Sequence, residues 1–164
     1  MSEPYEETIH GEDFYRSPPN PSHELLVTRL HRLVANYLPA DSGLEVLPPR
    51  TELNLGEDVR LQPDLCIMRR RSPGPGPAEE RPYLVAEVLL PGDHHTDTVV
   101  KKQLWSDIRL PRLWMVDPRY LNVEIYASTE FGFTLLDILA NRHPLTDPNL
   151  PGLSCPMREL FADI

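Results

Sequence analysis

The 164-residue chain is long enough for one compact domain with a real core and too short for two ordinary ones. With 40% hydrophobic and 25% charged residues it falls among globular proteins, away from disordered and fibrous classes. A net charge of −9 weighs against a nucleic-acid partner, because affinity for DNA depends on neutralising phosphates with Lys and Arg.

In chain order, residues 6–16 carry some alternation and predict a strand or ribbon that ends in the turn-rich Ser17-Pro18-Pro19-Asn20-Pro21. A helix is expected from Ser22, a candidate N-cap, to Leu38, where Pro39 stops it; Leu26, Leu30, Leu33 and Tyr37 recur at helical spacing. The segments 44–50 and 61–68 are short, apolar and bounded by breakers, as strands are. Residues 70–81, rich in Pro, Gly and charge, predict an exposed flexible loop joining two strands. Residues 82–90 form a nearly continuous apolar run, the pattern of a central strand covered on both faces. After Pro91-Gly92-Asp93 a second helix is expected over 96–108, with Val100, Leu104 and Ile108 on its buried face. Strands at 112–116, 122–126 and 131–139 and a short helix around 157–163 complete the chain. The elements predict an α/β or α+β fold built as a single domain over residues 1–164.

Other features exclude more than they assign. Cys66 and Cys155, the only cysteines, do not make a disulfide framework or a cysteine zinc site. No apolar run approaches the roughly 20 residues that span a bilayer, and the acidic opening MSEPYEETIH is unlike a targeting peptide, so a cytoplasmic protein without membrane contact is expected. His94-His95 beside Asp93 and Asp97 suggest zinc only weakly, since adjacent histidines diverge and no further ligands stand at recognised spacing. The basic groups Arg69-Arg70-Arg71, Lys101-Lys102 and Arg109 with Arg112 remain available to a phosphate backbone despite the acidic balance.

The most unusual feature is a carboxylate inside each of two apolar strands, Asp64 after Pro63 and Glu87 between Ala86 and Val88. An ionised carboxylate in a covered strand is costly unless paired or bound to metal. The functional account is a hard-cation site for Mg²⁺ or Mn²⁺, with the Val88 carbonyl as a further ligand; the bland account puts either acid at a strand end, meeting solvent or an arginine. Asp97 and Lys101 have the i,i+4 spacing of an ordinary surface ion pair. Glu24 has two equal readings, an acid brought towards the metal and a first-turn residue favoured by the helix dipole.

An ordered set of landmarks resembles the Uma2 (DUF820) family of the PD-(D/E)XK nuclease superfamily: Tyr5-Glu6, Gly11-Glu12, Ser17-Pro18-Pro19, His23-Glu24-Leu25-Leu26, Gln62-Pro63-Asp64-Leu65, Ala86-Glu87-Val88-Leu89, Asp97 with Lys101 and Trp105, Pro111 to Pro118, and Val123 to Tyr126. The resemblance implies a restriction-endonuclease-like mixed central sheet flanked by helices. It also implies metal-dependent hydrolysis of DNA, with Asp64, Glu87 and Val88 at the metal and Lys101 and Glu24 in catalytic roles. Two departures stand out. Leu90-Pro91-Gly92 replaces the family's Ser-Pro-Ser, and Leu89 occupies the superfamily's lysine position, a role the family moves to Lys101. Dimeric relatives suggest a homodimer. The competing functions are a nuclease-fold module that binds DNA or protein without cutting, and an oligomeric scaffold whose strand carboxylates pair with arginines.

Overall fold

The computed structural model describes residues 4–70, 80–93 and 96–164. Tyr5–Ile9 (β1) and Glu12–Arg16 (β2) form a hairpin around His10-Gly11, whose φ angles of 51° and 78° give the two-residue turn that follows the twist of paired strands. Helix α1 runs from Pro21 to Tyr37. Its N-cap is Asn20, not Ser22, because Asn20 Oδ1 accepts the His23 N–H at 2.8 Å and Pro21, which has no N–H to satisfy, suits the first helical position.

The predicted strand at 44–50 is cut to Leu44–Val46 (β3), ahead of Pro48-Pro49. Leu53–Gly56 (β4) and Val59–Leu61 (β5) form a hairpin absent from the sequence reading. The run 61–68 proves to be two strands in two sheets: Leu61 ends β5, and β6 spans Leu65–Arg70. Pro63 cannot donate to a ladder, so the chain changes sheets at Gln62-Pro63-Asp64. Strand β7 covers Glu80–Val88, and Arg70 pairs with Glu80. The expected loop at 70–81 is therefore strand at both ends, and its middle lies outside the described residues, as do His94 and His95.

A short 3₁₀ turn at Pro91–Asp93 and a π-helical turn at Thr96–Lys101 lead into α2, Lys102–Asp107. Then come β8 (Arg112–Asp117), β9 (Asn122–Thr129), β10 (Gly132–Ala140), the small pair β11 (Pro144–Leu145) and β12 (Cys155–Pro156), and α3 (Met157–Leu160).

The main sheet has the order β10-β9-β8-β7-β6-β3 and is mixed: β7 and β8 run parallel, as a crossover through α2 allows, and the other pairs are antiparallel. A smaller antiparallel sheet has the order β2-β1-β5-β4. Alternation along β6, β7 and β8 divides the core. Leu65, Ile67, Leu84, Ala86, Val88 and Trp114 pack with Leu26 and Leu30 of α1 and with Met157 and Leu160. On the other face Cys66, Val85, Leu89, Leu113 and Met115 pack with Trp105 of α2 and with Ile9, Leu53 and Leu61 of the small sheet. Burial on both faces explains why β7 reads as an unbroken apolar run. Among the described residues no helix is long and apolar enough to cross a membrane.

Candidate active site

Asp64 immediately precedes β6, and Glu87 is the penultimate residue of β7. Leu65 pairs with Ala86, so the register carries Asp64 opposite Glu87, and alternation puts both on the face lined by Cys66, Val85 and Leu89. They are 2% and 1% exposed. Asp64 Oδ2 accepts the Val88 N–H at 2.8 Å and lies 3.3 Å from His23 Nε2. Its Oδ1 is buried with no hydrogen bond, the Arg50 Nη1 atom standing 3.7 Å away.

Lys101 does reach the second acid. Its fully buried Nζ lies 2.6 Å from Glu87 Oε1 and donates to Glu7 Oε2 at 3.0 Å. Glu87 Oε1 makes this ion pair without the alignment of a hydrogen bond. The i,i+4 partners of the sequence do not pair with each other: Asp97 Oδ1 accepts from Arg16 Nη2 at 2.6 Å. Arg16 Nε in turn lies 3.3 Å from Glu7 Oε1 and 3.5 Å from Asp93 Oδ2.

The π-helical turn explains why the predicted buried face was rotated. Closing each hydrogen bond one residue later than an α-helix puts more residues in the turn, which brings positions four apart nearer one line. Asp97, Lys101 and Trp105 are consequently buried, Val100 is only half-buried, and Ile108 is 41% exposed. A charged face turns inward because charged partners wait there on β1, β2 and β7.

The two strand carboxylates are tuned in opposite directions. Burial alone would raise Asp64, but the His23 hydrogen bond and charge, the Val88 N–H and the Lys101 ammonium outweigh it and hold the carboxyl below its ordinary range. Burial pushes Glu87 up to about 8 against the pull of Lys101, with Asp97, Asp64 and Glu7 adding repulsion. Burial likewise raises Asp97 to about 6. For Lys101 burial acts downward, yet Glu7 and Glu87 overcome it and keep the ammonium charged. His23 is raised although burial opposes it, because Asp64 accepts from it and attracts its charge.

Carboxyl groups outnumber cations in the cluster: Glu7, Glu24, Asp64, Glu87, Asp93 and Asp97 face Arg16, Arg50 and Lys101, an excess of acid that suits a cation. Among the described residues no three His, Cys, Asp or Glu side chains converge as a metal cage. Two buried carboxylates, with Asp64 Oδ1 bare and Glu87 Oε1 held only by the Lys101 ion pair, fit Mg²⁺ better than zinc, since Mg²⁺ keeps waters and takes substrate oxygens beside one or two carboxylates.

Of the other predicted residues, Val88 meets Asp64 through its amide. Glu24 stands at the rim, its side chain 37% exposed and 2.7 Å from Arg50 Nη2, so it joins the site through Arg50. Sequence reasoning missed Glu7, Arg16, His23 and Arg50 as site residues. Glu7 had a legible signal: it shares β1's inward face with Ile9, while the neighbouring Glu6 points outward. Arg16, an inward cation at the end of β2, had a similar one. At Gly92 a Cβ would come 2.8 Å from Ser17 Oγ, so the Ser17 hydroxyl occupies the place of a side chain at 92; it donates to Asp93 Oδ1 at 3.3 Å.

Residues 2–158 match the model of a family described as "Uma2: Putative restriction endonuclease". The chain belongs to the Uma2 family. Among solved structures it is similar to one described as a putative nuclease belonging to DUF820 from Anabaena variabilis ATCC 29413, with a TM-score of 0.76 at 16% identity over 96% of this chain and 90% of that one. No curated protein matches the chain. The likeness establishes the nuclease-type mixed sheet for this Uma2 chain.

Proposed function

We propose that this Uma2 protein is a cytoplasmic, single-domain DNA endonuclease that hydrolyses phosphodiester bonds with Mg²⁺ or Mn²⁺. The observation that carries the reading is the pair of cross-strand carboxylates, Asp64 and Glu87, each with a buried oxygen that lacks a hydrogen bond, in a family whose description is "Putative restriction endonuclease". Asp64, Glu87 and the Val88 carbonyl would hold the ion. When bound, such an ion lowers the pKa of water and neutralises charge on the scissile phosphate.

This chain's own residues prepare the rest. His23 and the Val88 N–H fix Asp64 through Oδ2 and leave Oδ1 free for the ion. Glu7 and Arg16 anchor the far side, so that the Lys101 ammonium is held at Glu87, where it orients the attacking water or stabilises charge developing on phosphate. Glu24 acts at the rim as a positioning acid. The buried position of every acid except Glu24 excludes bulk water and strengthens each charge interaction.

The non-cutting alternative draws on one observation: both known partners of Lys101 are acids of the site, so the ammonium has to leave one of them to serve a substrate. Calorimetric titration of Mg²⁺ or Mn²⁺, paired with cleavage of plasmid and linear DNA, separates the readings. A metal site lost in Asp64→Asn together with cleavage supports the nuclease; a wild type that binds metal and DNA but never cuts supports the module. A homodimer belongs to the same proposal. Strand β10 is an edge strand with Leu135, Leu136 and Ile138 exposed by nearly half, which suits pairing with a second copy. Light scattering that gives the mass of one chain would remove the dimer.

A further inference from the structure

The nuclease reading assigns the ion and Lys101 to the scissile phosphate but no exposed cation to the incoming strand, since Lys101 is 0% and the Arg16 side chain 2% exposed, both enclosed by carboxylates. Arg50 is the third cation of the cluster, and it differs from the other two. Its side chain is 19% exposed, at the mouth of the site between Glu24 and Asp64. Nη2 is paired with Glu24 at 2.7 Å, but Nη1 is buried and lacks a hydrogen bond, because Asp64 Oδ1 at 3.7 Å is beyond bonding distance. The guanidinium also lies 6.0 Å from the centre of the Tyr5 ring.

The backbone holds it there. Arg50 N donates to Pro63 O at 3.0 Å, one residue before Asp64, and Thr51 N and Oγ1 both donate to Pro48 O. Arg50 itself has φ of 56°, a conformation that L residues rarely keep unless their surroundings impose it. A fork of N–H donors with one arm in an ion pair and the other bare, next to the free oxygen of a metal-binding acid, matches a phosphate that bridges the ion and the arginine.

On the nuclease reading above, we infer that Arg50 anchors the phosphate of the bound DNA strand, and that Glu24 holds its guanidinium in place until the substrate arrives. Arg50 is thus a substrate-binding residue and Glu24 its positioning partner. The acidic balance of the chain makes such an anchor necessary: with −9 overall, phosphate contacts have to be local and well aimed.

The test is binding of a fluorescent 20-base-pair duplex by the full chain with Ca²⁺ in place of Mg²⁺, read by anisotropy, alongside Mg²⁺ calorimetry without DNA. Arg50→Ala should weaken DNA binding about tenfold or more and Arg50→Lys should restore part of it, while Mg²⁺ binding stays unchanged or tightens as a positive charge leaves Asp64. Arg142→Ala, the same charge change at an exposed site, should change DNA affinity far less. Glu24→Gln should weaken DNA binding less than Arg50→Ala does, as the guanidinium loses its positioning partner, and should have no such effect in the Arg50→Ala background. Arg50→Ala binding within twofold of wild type overturns the inference, as does a loss matched by Arg142→Ala or by weaker Mg²⁺ binding. A wild type that ignores DNA in Ca²⁺ overturns the nuclease reading itself and this inference with it.

Discussion

Two buried carboxylate sites meet the strands of the same sheet and obey opposite rules. Asp147 is 3% exposed, and both its oxygens are used: Oδ1 accepts Arg112 Nε at 2.9 Å and Asn149 N at 2.8 Å, and Oδ2 accepts Trp114 Nε1 at 2.8 Å. It ties the segment after β11 to β8 and has nothing left to offer a ligand. Asp64 and Glu87 are as deeply buried, yet each keeps an oxygen without a hydrogen bond, and together with Glu7, Asp93 and Asp97 they outnumber their cations. A finished polar network rigidifies a fold, whereas an unfinished one stores a cost that a ligand can relieve. The difference between structure and function here is therefore one of satisfaction, not of burial.

The sharpest way to break this comparison is to remove charge at the unfinished site. Asp64→Asn and Glu87→Gln should both abolish Mg²⁺ binding and DNA cleavage, read by calorimetry and by plasmid nicking, and both proteins should remain folded. Their stabilities should diverge. Glu87→Gln should be the more stable variant in metal-free buffer, because burial disfavours the Glu87 charge, while Asp64→Asn should lose stability, because its surroundings favour the charged form. Equal shifts in urea midpoint for the two would refute the opposite tuning.

At the finished site the ordering reverses. Asp147→Ala should leave metal binding intact in the fraction that folds and should cost about 3–5 kcal/mol, because it strands the Arg112 charge and the Trp114 N–H in the interior. Urea denaturation measures it, and a cost under about 1 kcal/mol, the scale of a surface pair, would mean that Asp147 is no anchor.

Lys101→Ala comes next in size. Cleavage should fall about 10²–10³-fold, as when one electrostatic partner of a transition state is lost, while Mg²⁺ binding persists. Lys102→Ala is the control: its ammonium lies 3.9 Å from the centre of the Tyr126 ring, away from the acids, and its cleavage rate should stay near wild type. If the two variants behave alike, Lys101 has no special role.

The smallest effect is the pH dependence of metal-free stability. A carboxyl whose pKa is raised by folding holds its proton longer in the folded chain, so stability falls as pH climbs from its ordinary value to the raised one. For Glu87 that window runs from 4.5 to about 8, and Asp97, up from 3.8 to about 6, has the same sign. His23, raised as well, also loses its contribution as pH rises. Melting temperature in EDTA should decline between pH 5 and pH 8, and Glu87→Gln should flatten the slope. Mg²⁺ affinity should rise over the same window, since the ion competes with the Glu87 proton.

Much of this protein was legible in one dimension, for reasons that are local. The apolar runs of β7 and β8, the periodicity of α1 and the breakers between elements depend on nearest neighbours along the chain, and they led to an α/β or α+β domain; the mixed central sheet came from the resemblance to the family. Asp64 and Glu87 were visible because a charge within an apolar strand is an anomaly that needs no partner to be noticed, and Lys101 because the ordered landmarks of the family pointed to it. What the chain did not reveal depends on contacts between distant residues. The π-helical turn that rotates Asp97 and Lys101 inward makes sense only opposite Arg16, Glu7 and Glu87, which are 81, 94 and 14 positions away in the chain. The switch of sheets at Pro63, the satisfaction of Asp147 and the bare arm of Arg50 are likewise facts of packing. Sequence chose which charges this protein buries; tertiary structure alone decided which of them would be left with a hand free, because a hydrogen bond is counted in space and not along the chain.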